Sequence, residues 1–191
     1  MKNTLQSSLA FSHTLLQSVV KPGDNVIDAT MGNGHDTLFL AQLVQATGHV
    51  SAFDIQASAI ESTKQLLADN QIADNNYNLY QMSHSQIKDV LPEDSKITAA
   101  IFNLGYLPGG DKSVITHSET SIPAIQQCLQ MLERHGLVVV VLYYGHPGGE
   151  SEKEAIIDFT HSLDQHVYNV LQYQFVNQVQ APPICLAFEK R

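Results

Sequence analysis

The stretch V-I-D-A-T-M-G-N-G-H-D-T, residues 26–37, decides how the rest of the chain is read. A short apolar run stops at Asp28, a turn of small residues holds Gly32 and Gly34, and a helical pattern resumes at Asp36. The order is strand, tight loop, helix. Glycines let the backbone take positive φ and admit a ligand where a Cβ would collide. The helix start behind them leaves N–H groups free and carries partial positive charge, which suits a carboxylate or a phosphate. G-x-G alone also describes an ordinary tight turn. Asp54 adds weight, because it stands twenty residues after Gly34 at the end of the apolar run H-V-S-A-F-D. Doubly wound folds grip a ribose diol at about that distance. Together the two features point to an adenosine-containing ligand.

Working outward, the same alternation continues. Leu9, His13, Leu16 and Val20 recur at near-helical spacing, so residues 1–21 read as a helix that covers a sheet and stops before Pro22. Strands are expected at residues 25–29, 49–54, 77–81, 96–103 and 137–143, and helices at 36–44, 57–68 and 150–162. Another helix is expected from Ile122 to just before Gly136, with Pro123 in its first turn and Ile122, Ile125, Leu129 and Leu132 as its buried stripe. The run L-V-V-V-V-L-Y, residues 137–143, reads as a strand buried on both faces. Residues 168–176 and 184–189 are two further strands with no helix between them, and so are antiparallel. The pattern is βα repeated about five times and finished by a hairpin, in a single domain spanning residues 1–191. Such a chain folds as an α/β protein with a mostly parallel sheet.

Composition sets limits. At 191 residues the chain is large enough for one unstapled core, burying about 70% of its unfolded surface. Cys128 and Cys185 lie inside apolar runs without C-x-x-C spacing and read as buried free thiols. The N-terminus is too polar for a signal peptide, and no apolar stretch reaches membrane-span length, so a cytoplasmic protein with no membrane contact is expected. The formal net charge of -9 argues against broad non-specific binding to nucleic acid and leaves room only for a small basic patch. His13, His35, His49, His117, His135, His161 and His166 fit no metal-ligand spacing and read as structural or surface residues; no metal is expected.

Ligands of a parallel sheet bind beyond the carboxyl ends of its strands. Every glycine-rich or polar block falls there: the 26–37 loop, Asp54, Ser83-His84-Ser85, F-N-L-G-Y-L-P-G-G-D-K at 102–112 and Y-Y-G-H-P-G-G at 143–149. Thr37 stands where dinucleotide folds place a third small residue.

The blocks D-A-T-M-G-N-G-H-D-T, F-N-L-G-Y-L-P-G-G-D-K and Y-Y-G-H-P-G-G closely resemble the class I methyltransferases once labelled rRNA methylases, and within them the MnmM-type tRNA methyltransferases. The resemblance runs from about Val26 to Pro183. It implies a Rossmann-like class I methyltransferase fold with a doubly wound, mostly parallel seven-stranded sheet and a C-terminal antiparallel hairpin. It also implies S-adenosylmethionine as donor, S-adenosylhomocysteine as product, and the amine of 5-aminomethyl(-2-thio)uridine at the wobble position of tRNA as acceptor. The partner implied is the anticodon stem-loop of tRNA; a homodimer stays open.

From that resemblance the roles follow by position. Met31, Gly32, Asn33, Gly34 and Thr37 border the methionine part of the donor, with Asp28 and Asp36 near its ammonium or steadying the loop. Asp54, with Ile55 and Gln56 beside it, takes the ribose, and Ser83 and His84 lie along the adenine. Asn103 closes strand four, with Leu104 and Gly105 following it, where related amino methyltransferases present Asn or Asp followed by Pro-Pro-Tyr or Phe. Asn103 and Gly105 also border the donor. The Asn103 side chain and the Leu104 carbonyl are expected to hold the acceptor amine, and Tyr106 to stack on a flipped-out base. Asp111 and His146 are the candidates for proton relay. Lys112 is the candidate phosphate contact, and Pro108, Gly109, Gly110 and Tyr144 complete the substrate side. An rRNA, a small metabolite or a protein amine remains the alternative acceptor, and a cofactor-binding module without catalysis the alternative class.

Overall fold

The computed structural model describes residues 4–92, 94–107, 109 and 114–191. Seven strands form one sheet: β1 (Asn25–Asp28), β2 (His49–Asp54), β3 (Tyr77–Gln81), β4 (Ile97–Leu104), β5 (Leu132–Leu142), β6 (Tyr168–Tyr173) and β7 (Ile184–Lys190). Their spatial order is β3-β2-β1-β4-β5-β7-β6. The first five are parallel, whereas β7 inserts antiparallel between β5 and β6. The chain therefore winds outward from β1 through β3, returns to β4 on the other side, and winds outward again. The fold expected from the alternating pattern and from the resemblance is the one observed.

Helices α1 (Ser8–Val19), α2 (His35–Val44), α3 (Ala57–Asp69), α4 (Ile87–Val90), α5 (Ser118–Met131) and α6 (Gly149–Ser162) cover the two faces. One core lies under α5 and includes Ile27, Phe53, Phe102, Val138, Val140 and Phe188. A second lies under α1 and α2 and includes Leu16, Leu40, Val50, Ile101 and Val139. The alternation along β5 explains the division, since Val138 and Val140 face one layer and Val139 the other. The aliphatic run is core throughout, as expected. Cys128 and Cys185 are buried and free, and burial pushes both thiols up, Cys185 to about 12.

Three boundaries moved. Helix α5 begins at Ser118, four residues before the expected start, because the His117 carbonyl accepts from Thr120 and Ser121 N–H and Glu119 sits in the first turn. Pro123 is consequently inside the helix. The helix ends at Met131, and Leu132 already pairs with Ile97 in β5; the ladder then breaks before resuming at Ala99 and Leu137. Strand β6 stops at Tyr173, and Val176 beyond it is 93% exposed. The short helix α4, with a 3-10 turn at His84–Gln86 before it, was not expected.

Candidate functional site

The order of the sheet reverses between β1 and β4, and there the connections after the two strands leave in opposite directions. Such a switch point opens a crevice at the strand ends. The loop after β1 forms one side of this crevice. Its backbone is tied to both neighbouring strands: Ala29 N–H donates to the Ile101 carbonyl and Met31 N–H to the Phe53 carbonyl, each at 2.9 Å.

Carboxylates fix the loop from beneath. Asp28 is fully buried; its Oδ2 accepts from Thr37 Oγ1 at 2.6 Å and its Oδ1 from Thr30 N–H at 3.2 Å. Thr37 thus donates to Asp28 at the place where a dinucleotide fold needs a small residue. Burial and the nearby charge of Asp36 push the Asp28 carboxyl up to about 7, and the two donated hydrogen bonds only partly offset this. Asp54, at the end of β2, accepts from Gly32 N–H at 3.0 Å and Gln56 N–H at 2.9 Å. The two glycines serve different ends. Gly32, at φ +50, borders the crevice, whereas a Cβ on Gly34, at φ +84, would lie 2.8 Å from Thr63 Cα. Gly34 is therefore needed for packing of α3 rather than for approach of a ligand.

The end of β4 forms the other side. Asn103 N–H donates to Thr30 Oγ1 at 2.7 Å, which joins the two sides, and Asn103 Nδ2 donates to Asp36 Oδ2 at 2.5 Å. His13 Nε2, on α1, lies 2.6 Å from the other oxygen of Asp36. Beyond β4, Gly105 N–H donates to Thr116 Oγ1 at 2.9 Å. Thr116 Oγ1 and Ser121 Oγ in turn each donate at 2.7 Å to the buried carboxylate of Glu152 on α6.

Between the two sides is a cavity of about 580 Å³, within the range that takes a nucleoside-sized ligand. Of the expected site residues, Met31, Gly32, Asn33, Asp36, Asp54, Ile55, Gln56, Ser83, His84, Asn103, Gly105 and Tyr106 line it. Asp28 and Thr37 lie beneath the loop instead and steady it, and Gly34, within the loop, faces Thr63 of α3. Leu104 is buried, and its carbonyl, expected to share the acceptor amine, accepts from Tyr143 N–H at 2.8 Å as the β4–β5 ladder continues. Strand alternation turns Tyr143 toward the cavity, while Tyr144 packs under Lys153 Nζ, 4.7 Å from the ring centroid. His146 stands outside the lining, edge-on to Tyr106 with centroids 5.7 Å apart. Gly109 is exposed. Pro108, Gly110, Asp111 and Lys112 lie outside the described residues.

Sequence reasoning missed His13, Tyr143, Thr116 and Glu152. An acid in the first turn of a helix reads as a partner of the helix dipole, so Glu152 gave no signal. For His13 there was none at all.

The cavity fits the adenosine-containing ligand that the sequence called for. Among the described residues, three buried side-chain atoms have no hydrogen-bond partner, and two of them, His84 Nε2 and Asn103 Oδ1, belong to residues lining the cavity. His84 is bonded to the Ala29 backbone, and burial pulls its imidazole down to about 4, so the ring is neutral and Nε2 is an acceptor. Buried acceptors without donors are costly unless a ligand supplies the N–H. The carboxylate of Asp54 at one strand end, the glycine loop beside it and the adjoining acceptors suit a nucleoside carrying a charged amino-acid tail.

Fold, switch point and cavity define a class I S-adenosylmethionine-dependent methyltransferase. The family described as "Putative rRNA methylase" matches residues 50–189, and the chain belongs to that family. It is 37% identical over 187 residues to an Arabidopsis thaliana protein named tRNA (mnm(5)s(2)U34)-methyltransferase, chloroplastic, covering 94% of this chain and 68% of that one. Among solved structures, an rRNA methylase, so named with the qualifier "putative", from Clostridium thermocellum superposes with a TM-score of 0.95 at 41% identity, covering 99% of this chain and 100% of its own. A "putative methyltransferase" from Streptococcus mutans, solved in complex with SAH, gives 0.90 at 38% identity, with 98% and 100% covered. Among the described residues no helix is long and apolar enough to cross a membrane.

Proposed function

We propose that the protein transfers a methyl group from S-adenosylmethionine to the amine of 5-aminomethyl(-2-thio)uridine at the wobble position of tRNA. The single observation that carries this reading is Asn103 Oδ1, a buried acceptor left without a partner at the edge of the cavity. An amine N–H is the donor it lacks. The family label speaks of ribosomal RNA, but the Arabidopsis relative's name specifies a tRNA wobble uridine. That nucleoside carries an alkylamine, the group this end of the cavity suits.

When bound, the donor supplies an electrophilic methyl group on a sulfonium. The chain's part is to bind, orient and exclude water, and positioning of this kind supplies most of the acceleration in transfers between two bound partners. Asp54 takes the ribose hydroxyls with the lone pairs that Gly32 and Gln56 leave free. His84 Nε2 accepts from the adenine amine, and Ile55, 54% exposed at the end of β2, covers the ring. Asp36, in the first turn of α2, lies near the donor's ammonium. An alkylamine like that of lysine has an ordinary pKa near 10, and it must be neutral to attack. Asn103 Oδ1 holds one N–H of the neutral amine and so aims its lone pair. Tyr106, 41% exposed at the rim, offers a face to the flipped-out base, and His146 beside it is the described candidate for accepting the proton.

The test is nucleoside mass spectrometry of tRNA incubated with the purified protein and S-adenosylmethionine. Methylation of tRNA bearing the aminomethyl group, and none of tRNA lacking it, is the expected result; equal methylation of both overturns the assigned acceptor. A steep loss of tRNA affinity with rising salt separates a polymer acceptor from a small amine.

A further inference from the structure

We propose that His13, on the covering helix α1, is a positioning residue of the transfer: through Asp36 it fixes which end of the Asn103 carboxamide faces the cavity. The proposal rests on the reading of Asn103 as the group that meets the acceptor amine.

A carboxamide fits its site in two orientations that differ by exchange of O and N, and its neighbours decide between them. Here the deciding neighbour is Asp36, whose Oδ2 lies 2.5 Å from Asn103 Nδ2. A carboxylate only accepts, so the NH₂ must turn to it and Oδ1 must turn away. That orientation leaves Oδ1 buried and unpartnered. Reversed, the side chain would present N–H groups to the amine, which has to offer N–H itself, and Asn103 would have nothing with which to hold it.

The orientation is only as firm as Asp36. Its other oxygen, Oδ1, is held by His13 Nε2 at 2.6 Å. The His13 ring is in turn stacked flat on Phe39 of α2, with centroids 4.0 Å apart and planes at 12°. With one oxygen bonded by His13 and the other by Asn103, the carboxylate cannot rotate without losing a charge-assisted bond. Removing His13 frees Oδ1 and with it the plane of the carboxylate, and Asn103 loses its fixed partner. Helix α1 also places Leu9 in the cavity wall, so it is part of the site and not only a cover for the sheet. His13 lies before residue 50, where the family match begins. The array is therefore built from residues that the match does not reach, together with Asn103, which it does.

The experiment uses the full chain as wild type, H13A and H13Q, the last keeping one N–H donor at this position. Turnover of tRNA bearing the aminomethyl wobble uridine is measured alongside SAH affinity by calorimetry. A charge-assisted bond of this kind is worth about 1.5–3 kcal/mol, or roughly ten- to a hundredfold in rate. H13A should lower kcat by about that factor while KM for tRNA and Kd for SAH stay near wild type, and H13Q should recover most of the loss. Independently of turnover, the side-chain NH₂ resonances of Asn103, assigned by their absence in N103A, should be protected from exchange in wild type and H13Q and lose protection in H13A. Unchanged kcat in H13A, equal loss in H13A and H13Q, or unchanged amide protection in H13A would each overturn the proposal. A wild type that fails to methylate the amine-bearing tRNA would instead overturn the acceptor assignment, and the amide measurement would still decide what His13 does.

Discussion

The two sides of the cavity are held by different means. On the β1–β2 side the side-chain bonds that fix the loop stay within residues 28–63: Asp28 to Thr30 and Thr37, Asp54 to Gly32 and Gln56, Thr63 Oγ1 to the Gly32 carbonyl at 3.1 Å; the Ala29 N–H and Thr30 Oγ1 tie it to β4. On the β4 side the bonds span the chain, with Asn103 reaching Asp36 and Thr30, and Thr116 reaching Glu152. The local side presents a carboxylate whose oxygens are already oriented by backbone N–H groups. Among the described residues, the distant side presents one cavity-lining acceptor whose partner is missing, Asn103 Oδ1. A donor common to many enzymes suits a loop fixed mainly by the segment that follows it, whereas an acceptor peculiar to one enzyme suits side chains brought in from separate elements.

The comparison breaks most sharply at Asn103. Asn103→Ala removes the only feature assigned to the amine while leaving the loop intact. Turnover should fall roughly a hundred- to a thousandfold, the cost of losing one preorganised group at a reacting centre. Calorimetric affinity for SAH should stay within a few-fold of wild type. A large loss of SAH affinity in this variant would mean that the two sides are not separate.

Asp54→Asn tests the other side with a smaller effect. It replaces an ionised acceptor by a neutral amide, so SAH affinity should drop about tenfold or somewhat more, and saturating donor should restore most of the turnover. If saturating donor does not restore it, Asp54 acts on the chemistry and the local side is more than a clamp.

The contrast also explains what could be read from the sequence. Strands β2 and β3 were legible to the residue, because apolar runs bounded by polar turns mark their own ends. The loop, Asp54 and His84 were legible because local bonding leaves a spacing. Asn103 was found as a strand-end polar residue, but its orientation depends on Asp36 and His13, and no sequence spacing signals a link between His13 and Asn103 across 89 intervening residues. Glu152 is hidden for the same reason: its two donors come from Thr116 and Ser121 on other segments. Tyr143 and Tyr144 are adjacent and alike, and only the alternation carried on past the end of β5, where Tyr143 N–H still pairs with the Leu104 carbonyl, decides which one faces the ligand. The start of α5 was misplaced because Pro123 reads as a first-turn marker, whereas the helix tolerates it one turn further in, and its end because Gly136 reads as the stop, whereas Leu132 already pairs in β5.

The smallest predicted effect falls at the joint between the two sides, where Asp28 lies under the loop and feels the charge of Asp36. An acid whose folded value is raised binds more protons in the folded state than in the unfolded one. Its contribution to stability is complete below about 3.8 and is lost as pH rises through about 7. His84 runs the opposite way: lowered from 6.5 to about 4, it contributes fully above 6.5 and loses that contribution as pH falls toward 4. The two slopes oppose each other in mildly acidic solution, so the wild-type melting temperature alone does not separate them. The difference between D28N and wild type does, because His84 is common to both. That difference should shift in favour of D28N by a few degrees between pH 5 and pH 8, read by thermal melting at fixed ionic strength. A shift in favour of wild type would mean that the bonds from Thr37 and Thr30 outweigh burial. The loop would then hold Asp28 as a stabilised carboxylate, and the charge of Asp36 would no longer couple the two sides.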